Sequence, residues 1–335
     1  MTTQTGPSAA KVERTYPPFP FFVGCGRSGT SLLRAIFDSH PAMNVPRDTY
    51  FILNLAERRE RFELTSGFDV PGFVRELDRQ FDFERWTVGI AEIKAALAAD
   101  PPADYSDAVR RIFALSAARE GKALYGNKSP VHVRRLDMLD ALFPEGRFVH
   151  IIRDGRDVAL SYLQVDFGPT TVEGGALRWK RHVTSGRAAG AIIGPEKYHE
   201  VRYERLIADT EAVARDLCAF IGIDFDDRML RYYERTADLY PGKETPVHHR
   251  NLAKPPTKGM RDWRTEMAPS DVATFEVIAG DLLSELGYER MFPAPGAGAK
   301  IRTGTRLAAE QVRGFALRAR RRAKGTGAKR TVGKA

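Results

Sequence analysis

The sequence has little cysteine and no long apolar stretch. Its two cysteines, Cys25 and Cys218, cannot form a disulfide framework, and neither stands in the spacing of a metal-binding motif. No apolar run approaches the roughly 18 residues that a membrane-spanning helix requires. The first ten residues are polar and lack the apolar segment of a secretory signal. We therefore expect a cytoplasmic protein.

The chain also has no excess of positive charge outside its C-terminus. Residues 300–335 carry a formal charge of +11, against +9 for all 335 residues, which leaves the rest at −2. A near-neutral body disfavours a specific nucleic-acid-binding protein, whose basic surface has to cover its partner. We predict that residues 296–335 form a disordered basic tail. It is either a solvated extension or a contact for an anionic membrane or an acidic acceptor, and a membrane contact would make the protein peripheral.

A short apolar strand, a glycine-rich turn and an amphipathic helix follow one another near the N-terminus. Gly24, Gly29 and Ser31 fit the G-x-x-x-x-G-K-[ST] pattern of a phosphate-binding loop, in which the N-terminus of a helix faces an anion. Thr30 stands where that pattern has its lysine, and Arg27 is the only cation of the loop. A nucleoside triphosphatase needs that lysine at the β- and γ-phosphates. The loop therefore indicates a different phosphorylated ligand.

A second strand-to-helix junction occurs at residues 147–161. Arg153 stands at the carboxyl end of the predicted strand, Asp154 can cap the following helix, and Ser161 lies about two turns further along it. Because ligands of open α/β sheets bind beyond the carboxyl ends of the strands, we expect Arg153 and Arg27 to face one crevice. Two anion-binding elements indicate a ligand with phosphates at both ends.

Strand patterns alternate with helical patterns along the chain, which predicts an α/β fold with a phosphate-loop-like parallel sheet flanked by helices. The predicted strands lie near 21–23, 123–125, 147–152 and 200–203. We predict one domain over residues 16–295, preceded by a disordered segment at 1–15. Residues 50–120 are mostly helical in pattern, and an insertion of this kind usually covers the active site or shapes the acceptor pocket.

The two junctions resemble the donor-binding signatures of sulfotransferases that use 3′-phosphoadenosine-5′-phosphosulfate (PAPS). The segments are 26–32 (GRSGTSL) and 152–161 (IRDGRDVALS). The similarity is strongest to the tyrosylprotein sulfotransferase-like branch, which has many bacterial members. His40-Pro41, GNKSP at 126–130 and VRYERL at 201–206 stand in the order of that branch. The resemblance covers roughly residues 19–290 and is weak over 50–120 and 165–195.

The resemblance implies transfer of a sulfonate group from PAPS to a hydroxyl or amine, with 3′-phosphoadenosine-5′-phosphate (PAP) as product and no metal. The family's first signature holds the 5′-phosphosulfate, and the second holds the 3′-phosphate through an arginine and a serine eight residues later. A tyrosine near the nucleotide and a late lysine-glycine loop also match. The donor ligands implied in this sequence are Arg27, Ser28, Gly29, Thr30, Ser31, Arg153, Ser161, Tyr203, Lys258 and Gly259.

Three residues match the family's catalytic positions. Asp48 matches a catalytic glutamate and is expected to take the proton of the acceptor. Lys128 matches a lysine at the oxygen that bridges sulfonate and phosphate, where negative charge grows during in-line transfer. Arg27 is expected to act at the sulfonate. Two alternatives stay open: Asp48 could only cap a helix through Tyr50, and His132 is a competing base, although its spacing favours a surface histidine.

Two other functions fit parts of this pattern. A P-loop kinase or nucleotide hydrolase acting on ATP is disfavoured by Thr30 and by the lack of a clear acidic strand end for Mg²⁺. A non-catalytic scaffold of the same fold is the other alternative. The acceptor could be a carbohydrate, a glycolipid, a phenolic metabolite or a peptide, and neither Asp48 nor Lys128 distinguishes these.

Overall fold

The computed structural model of the protein describes residues 16–48, 50–80, 86–239, 252, 254–255, 262–298 and 300–308. The strands within these ranges are β1 (Phe19–Gly24), β2 (Met43–Asn44), β3 (Glu63–Leu64), β4 (Gly67–Phe68), β5 (Leu124–Tyr125), β6 (Asn127–Lys128), β7 (Gly146–Ile152) and β8 (Tyr198–Arg202). Four of them form a parallel sheet in the order β6-β1-β7-β8. The predicted parallel α/β fold is confirmed.

Helices connect the strands and cover the sheet. Those described are α1 (Thr30–Asp38), α2 (Phe51–Ala56), α3 (Val70–Asp78), α4 (Ile90–Ala99), α5 (Tyr105–Arg119), α6 (Leu136–Leu142), α7 (Gly155–Tyr162), α8 (Val172–Ile193), α9 (Tyr203–Ala208), α10 (Thr210–Ile221), α11 (Tyr232–Leu239), α12 (Trp263–Glu266) and α13 (Pro269–Glu285). None of the helices in the described ranges is both long and apolar enough to cross a membrane.

Strand β1 is buried along its whole length because helices pack on both faces of the sheet. Successive side chains of a strand point to opposite faces. Phe21 accordingly joins a core cluster with residues of α5, whereas Phe22 joins a second cluster with residues of α1 and α10. A strand that is buried on both faces has a continuous run of apolar residues. This run is the signal from which β1 is predicted in the sequence.

The region between β2 and β5 carries the expected helices, α2 to α5, together with the hairpin β3-β4. Its aromatic side chains pack on the first strand: the ring centroid of Phe113 lies 5.0 Å from that of Phe19 and 4.9 Å from that of Trp86. Helix α5 begins at Tyr105. Asp104 caps it, because its side chain accepts a hydrogen bond from a backbone N–H of the first turn.

One predicted strand differs in detail from the structure. The strand near 123–125 is β5, which pairs with β2 outside the main sheet. The edge strand of the main sheet is β6, which is followed by a 3₁₀ turn, Pro130–Arg134, and by α6. Both strands contain two residues, too few for an alternating pattern to distinguish them.

The globular part extends further than the boundary predicted at residue 295. Residues 300–308 are helical, Thr303 is buried, and Leu307 packs against a core cluster. Arg306 lies 3.2 Å from carboxylate oxygens of both Glu173 and Asp271. The start of the expected tail is therefore fixed to the body by ion pairs and apolar contact. Residues 1–15 and 309–335 lie outside the described residues.

Three histidines lie in the core around the sheet. Burial lowers the pKa of His150 and of His132 to about 3, and burial with nearby arginines lowers the pKa of His182 to about 4. His150 Nδ1 and the hydroxyl of Tyr198 form a hydrogen bond of 2.6 Å. In an unfolded chain a histidine has a pKa of about 6.5. Below that pH the unfolded state binds protons that the folded state does not, so acid destabilises the fold.

We expect the free energy of unfolding to decrease from pH 7.5 to pH 5, by up to about 1.4 kcal/mol per pH unit for each buried histidine. Urea unfolding at pH 7.5, 6.0 and 5.0 measures this slope. His150→Gln should make the slope shallower because one titrating group is removed. The part-exposed His199 provides the matched control, since His199→Gln should leave most of the slope in place. An equal slope in His150→Gln and the unmodified protein would contradict the expectation.

Candidate active site

The turn between β1 and α1 requires glycine at two positions, one because of its backbone conformation and one because of a close contact. Gly29 has φ +105°, and a side chain there would place its Cβ 2.6 Å from the ring of Tyr203. At Gly26 a Cβ would lie 2.4 Å from the hydroxyl of Tyr162. Arg27, with φ +73°, has the only positive φ among the described residues other than glycine. The turn is thus held closely against two aromatic side chains.

The glycine-rich turn presents polar groups and a helix end to the same space. Helix α1 begins at Thr30, and its N-cap residue Gly29 has no side chain to occupy the first N–H groups. The positive end of the helix dipole therefore points toward the turn, an arrangement that attracts anions. The hydroxyl of Ser28 is buried and has no hydrogen-bond partner among the described residues.

The second junction lies directly beside the first. Strand β7 ends one residue before Arg153, and Asp154 caps α7 as predicted, accepting a hydrogen bond from the N–H of Arg156. Arg27 Nε donates to Ser161 Oγ over 3.0 Å. The structure therefore brings residues of the two predicted anion-binding elements into direct contact.

Arg153 is buried against Tyr203 and Asp157. Its guanidinium carbon lies 4.4 Å from the centroid of the Tyr203 ring, and Nη2 donates to Asp157 Oδ2 over 3.3 Å. Burial raises the pKa of Asp157 to about 6, and the charge of Arg153 opposes this rise. Nε of Arg153 is buried with no partner within the described ranges. One edge of the guanidinium is thus held by a carboxylate, and a further polar atom remains for a ligand.

Lys128 and Asp48 form an ion pair at the end of the edge strand β6. The Lys128 side chain is 4% exposed and that of Asp48 is 40% exposed, so the carboxylate is the solvent-facing partner. Lys128 Nζ also lies 3.5 Å from Ser31 Oγ, in the first turn of α1. Burial lowers the pKa of Lys128, and the carboxylate of Asp48 opposes this. A buried cation therefore stands next to the glycine-rich turn.

Two alternatives were open for the catalytic base: that Asp48 only caps a helix, and that His132 is the base. Asp48 does not cap α2, whose N-cap residue is Tyr50 and has no capping hydrogen bond from a side chain. His132 is not a surface residue, as its spacing suggested, but 1% exposed. Its Nδ1 donates to Asn127 Oδ1 over 3.1 Å. The histidine is buried because the 3₁₀ turn that carries it packs between β1 and α8.

Most of the predicted site residues lie together at the carboxyl ends of β1, β6, β7 and β8. The exceptions are Lys258 and Gly259, which lie outside the described residues. Sequence reasoning missed Tyr162, which packs against Gly26. It is the last residue of α7, but a tyrosine in a helix carries no signal by itself. Two arginines and a lysine in one crevice can bind a ligand with several anionic groups.

Comparison with known proteins gives a consistent result. A model of the "Sulfotransferase family" matches residues 18–227. Protein-tyrosine sulfotransferase A of Caenorhabditis elegans is 24% identical over 290 residues, which are 84% of this chain and 70% of the relative. Nodulation protein NoeE of Sinorhizobium fredii is 24% identical over 311 residues, 83% of this chain and 68% of that protein.

A solved structure supports the fold. The sulfotransferase domain from the Synechococcus PCC 7002 olefin synthase matches with a TM-score of 0.56 and 22% identity, covering 83% of this chain and 97% of that domain. The family model itself extends over more than half of the chain and includes both strand-to-helix junctions. The resemblance that these junctions predict is confirmed, and the chain belongs to the sulfotransferase family.

Proposed function

We propose that this enzyme transfers the sulfonate of PAPS to a hydroxyl or amine by in-line displacement, releasing PAP. The observation that carries the proposal is the 3.0 Å hydrogen bond from Arg27 Nε to Ser161 Oγ, which joins the two anion-binding junctions in one crevice. A nucleotide with a phosphosulfate at its 5′ end and a phosphate at its 3′ position matches a crevice with two such elements.

Buried atoms without partners support this donor. Buried polar groups are almost always hydrogen-bonded, because leaving one unpaired is costly. Yet Ser28 Oγ and Arg153 Nε, one in each junction, have no partner among the described residues. Phosphate or sulfonate oxygens would satisfy both. The residues that would hold the 5′-phosphosulfate are Arg27, Ser28, Gly29, Thr30 and Ser31; those for the remainder of the nucleotide are Arg153, Ser161 and Tyr203.

The chemistry requires one base and one cation at the reacting oxygens. In the proposed reaction Asp48 takes the acceptor proton, the acceptor oxygen or nitrogen forms a bond to sulfur, and the bond from sulfur to the bridging oxygen breaks. The electron pair of that bond goes to the 5′-phosphate of PAP, where Lys128 stabilises the new charge. Arg27 would hold the sulfonate oxygens. The ion pair with Asp48 favours the charged form of the buried Lys128.

The proposed base is Asp48 rather than His132. A base must reach the proton that it removes. Asp48 is 40% exposed, whereas His132 is enclosed and its lowered pKa makes the ring a weak base. The helical insertion begins directly after Asp48, so it would form the wall of the acceptor pocket. Because one relative is a protein-tyrosine sulfotransferase, a phenolic hydroxyl is the first acceptor to test.

The donor is tested by thermal unfolding with PAP, 5′-AMP and Mg·ATP. A ligand at 100 times its dissociation constant adds about 2.7 kcal/mol of stability, which raises Tm by several degrees. We expect this shift with PAP and a much smaller one with 5′-AMP, which lacks the 3′-phosphate. Ser161→Ala should reduce the difference between the two nucleotides. A shift with Mg·ATP alone would overturn the sulfotransferase proposal in favour of a kinase or hydrolase.

The catalytic roles are tested by transfer of ³⁵S from PAPS to a panel of phenols. Asp48→Asn should lower kcat by about 100-fold or more, because the acceptor keeps its proton. Lys128→Met should have an effect of similar size, because the leaving oxygen loses its cation. His132→Asn is the matched control and should retain activity within a few fold. If His132→Asn loses activity and Asp48→Asn remains active, the catalytic base is His132 and not Asp48.

The fit of the glycine-rich turn is tested at Gly26. Gly26→Ala places a methyl group 2.4 Å from the hydroxyl oxygen of Tyr162, so the turn or the tyrosine has to move. We expect PAP to bind at least about tenfold more weakly, since a 1.4 kcal/mol change is tenfold. Adding Tyr162→Phe removes the clashing oxygen and should restore most of the affinity. Titration calorimetry of both variants, with Tyr162→Phe alone as control, measures this, and unchanged affinity in Gly26→Ala would refute it.

A further inference from the structure

Behind the second junction lies a group of buried charges that the proposed chemistry does not use. The side chains of Arg156 on α7 and Glu276 on α13 are both fully buried. Arg156 Nε and Nη2 donate to the two carboxylate oxygens of Asp154 over 3.0 and 2.7 Å. Arg156 Nη1 donates to Glu276 Oε1 over 2.7 Å. The guanidinium of Arg156 thus joins Asp154, the N-cap residue of α7, to Glu276 on α13, which stands 120 residues after Arg156 in the sequence.

Residues 289–292 add further hydrogen bonds to this group. Glu276 accepts hydrogen bonds from the backbone N–H groups of Met291 and Phe292 over 3.0 and 2.8 Å. Arg156 Nη2 also donates to the carbonyl oxygen of Glu289 over 2.7 Å. Ion pairs of this kind are often no better for stability than apolar side chains of similar size. A fully bonded network does, however, fix the relative positions of the segments that it joins.

A chain of contacts leads from Arg156 to the guanidinium of Arg153. The guanidinium carbon of Arg156 lies 3.5 Å from the centroid of the Trp263 ring. The backbone N–H of Trp263 donates to Asp157 Oδ1 over 3.0 Å, and Asp157 Oδ2 accepts from Arg153 Nη2 over 3.3 Å. The position of Trp263 therefore determines the position of the Asp157 carboxylate, which holds one edge of the Arg153 guanidinium.

A second chain of contacts acts on the backbone. Asp154, which Arg156 holds through both carboxylate oxygens, is the residue directly after Arg153. Its N–H donates to Glu204 Oε1 over 2.9 Å, while Trp179 Nε1 donates to the carbonyl oxygen of Arg153 over 3.0 Å. Trp179 thus fixes the backbone of Arg153 directly, and Arg156 contributes through the side chain of Asp154, the next residue.

We infer that Arg156 is a positioning residue for the donor's 3′-phosphate, which it never touches. Through Asp154 and Trp263 it aims Arg153 into the crevice, and Glu276 holds Arg156 in place. Residues 262–292 would then complete the donor site, although the family model ends at residue 227. This inference rests on the proposed function, because it takes PAP as the ligand.

The test measures how much the 3′-phosphate adds to nucleotide binding. Titration calorimetry gives the dissociation constants of PAP and 5′-AMP, and their ratio reports the 3′-phosphate contacts alone. In Glu276→Gln we expect this ratio to fall about tenfold, with 5′-AMP affinity unchanged within twofold. Arg156→Lys keeps the charge but loses the paired hydrogen bonds to Asp154, so we expect the same fall in the ratio. This variant provides the test if Glu276→Gln does not fold.

The matched control breaks a similar ion pair elsewhere in the fold. Arg110 and Glu145 form a part-buried pair, with Arg110 Nε and Nη2 donating to the carboxylate over 2.6 and 3.1 Å. Glu145→Gln should lower stability in urea unfolding and leave the nucleotide ratio unchanged. If Glu276→Gln and Arg156→Lys also lose stability with an unchanged ratio, the group is only structural and the inference is wrong. If the unmodified enzyme binds PAP and 5′-AMP equally well, both the proposed function and this inference are wrong.

Discussion

The parallel pairing of β1 with β7 is the constraint on which the rest of the site depends. The register runs from Phe19 opposite Gly146 to Gly24 opposite Ile151, so both strands end at the same edge of the sheet. Each strand continues into a turn and the N-terminus of a helix, and the two turns are therefore adjacent. The hydrogen bond from Arg27 to Ser161 is a consequence of this register. A shift of one residue would turn every side chain of a strand to the opposite face and separate the two elements.

Two buried cations of the site are each paired with a carboxylate. Lys128 is held by Asp48, and Arg153 is held by Asp157. In the proposed reaction the partner of Lys128 is also the base. When Asp48 accepts the acceptor proton, its attraction for Lys128 weakens at the stage when negative charge develops on the leaving oxygen. The lysine can then act on that oxygen with its full charge, so proton transfer and leaving-group stabilisation support one another.

The sequence predicts the parts of this site whose signals are local. Gly24, Gly29 and Ser31 lie within eight residues, and the second junction extends over the ten residues 152–161, so the spacing within each element alone indicates anion binding. Asp48 and Lys128 stand 80 residues apart, and family resemblance identifies each of them, but their ion pair has no signal in the sequence. The Arg156–Glu276 contact spans 120 residues and has no signal in the sequence, because α13 must first pack against α7. Strand β6 escaped prediction because two residues have no periodicity.

The donor and acceptor sides differ in how strongly chemistry constrains the sequence. Binding the charged ends of PAPS, as proposed, requires hydrogen-bond donors and cations at fixed positions, which only a few residue types provide. The insertion of α2 to α5 instead packs through aromatic side chains such as Phe51, Trp86 and Phe113, whose ring centroids lie 4.9 to 6.4 Å apart. Many combinations of apolar residues fill such a volume equally well. The donor can therefore be inferred from residue types, whereas the acceptor depends on the shape of a pocket, which residue types alone do not define.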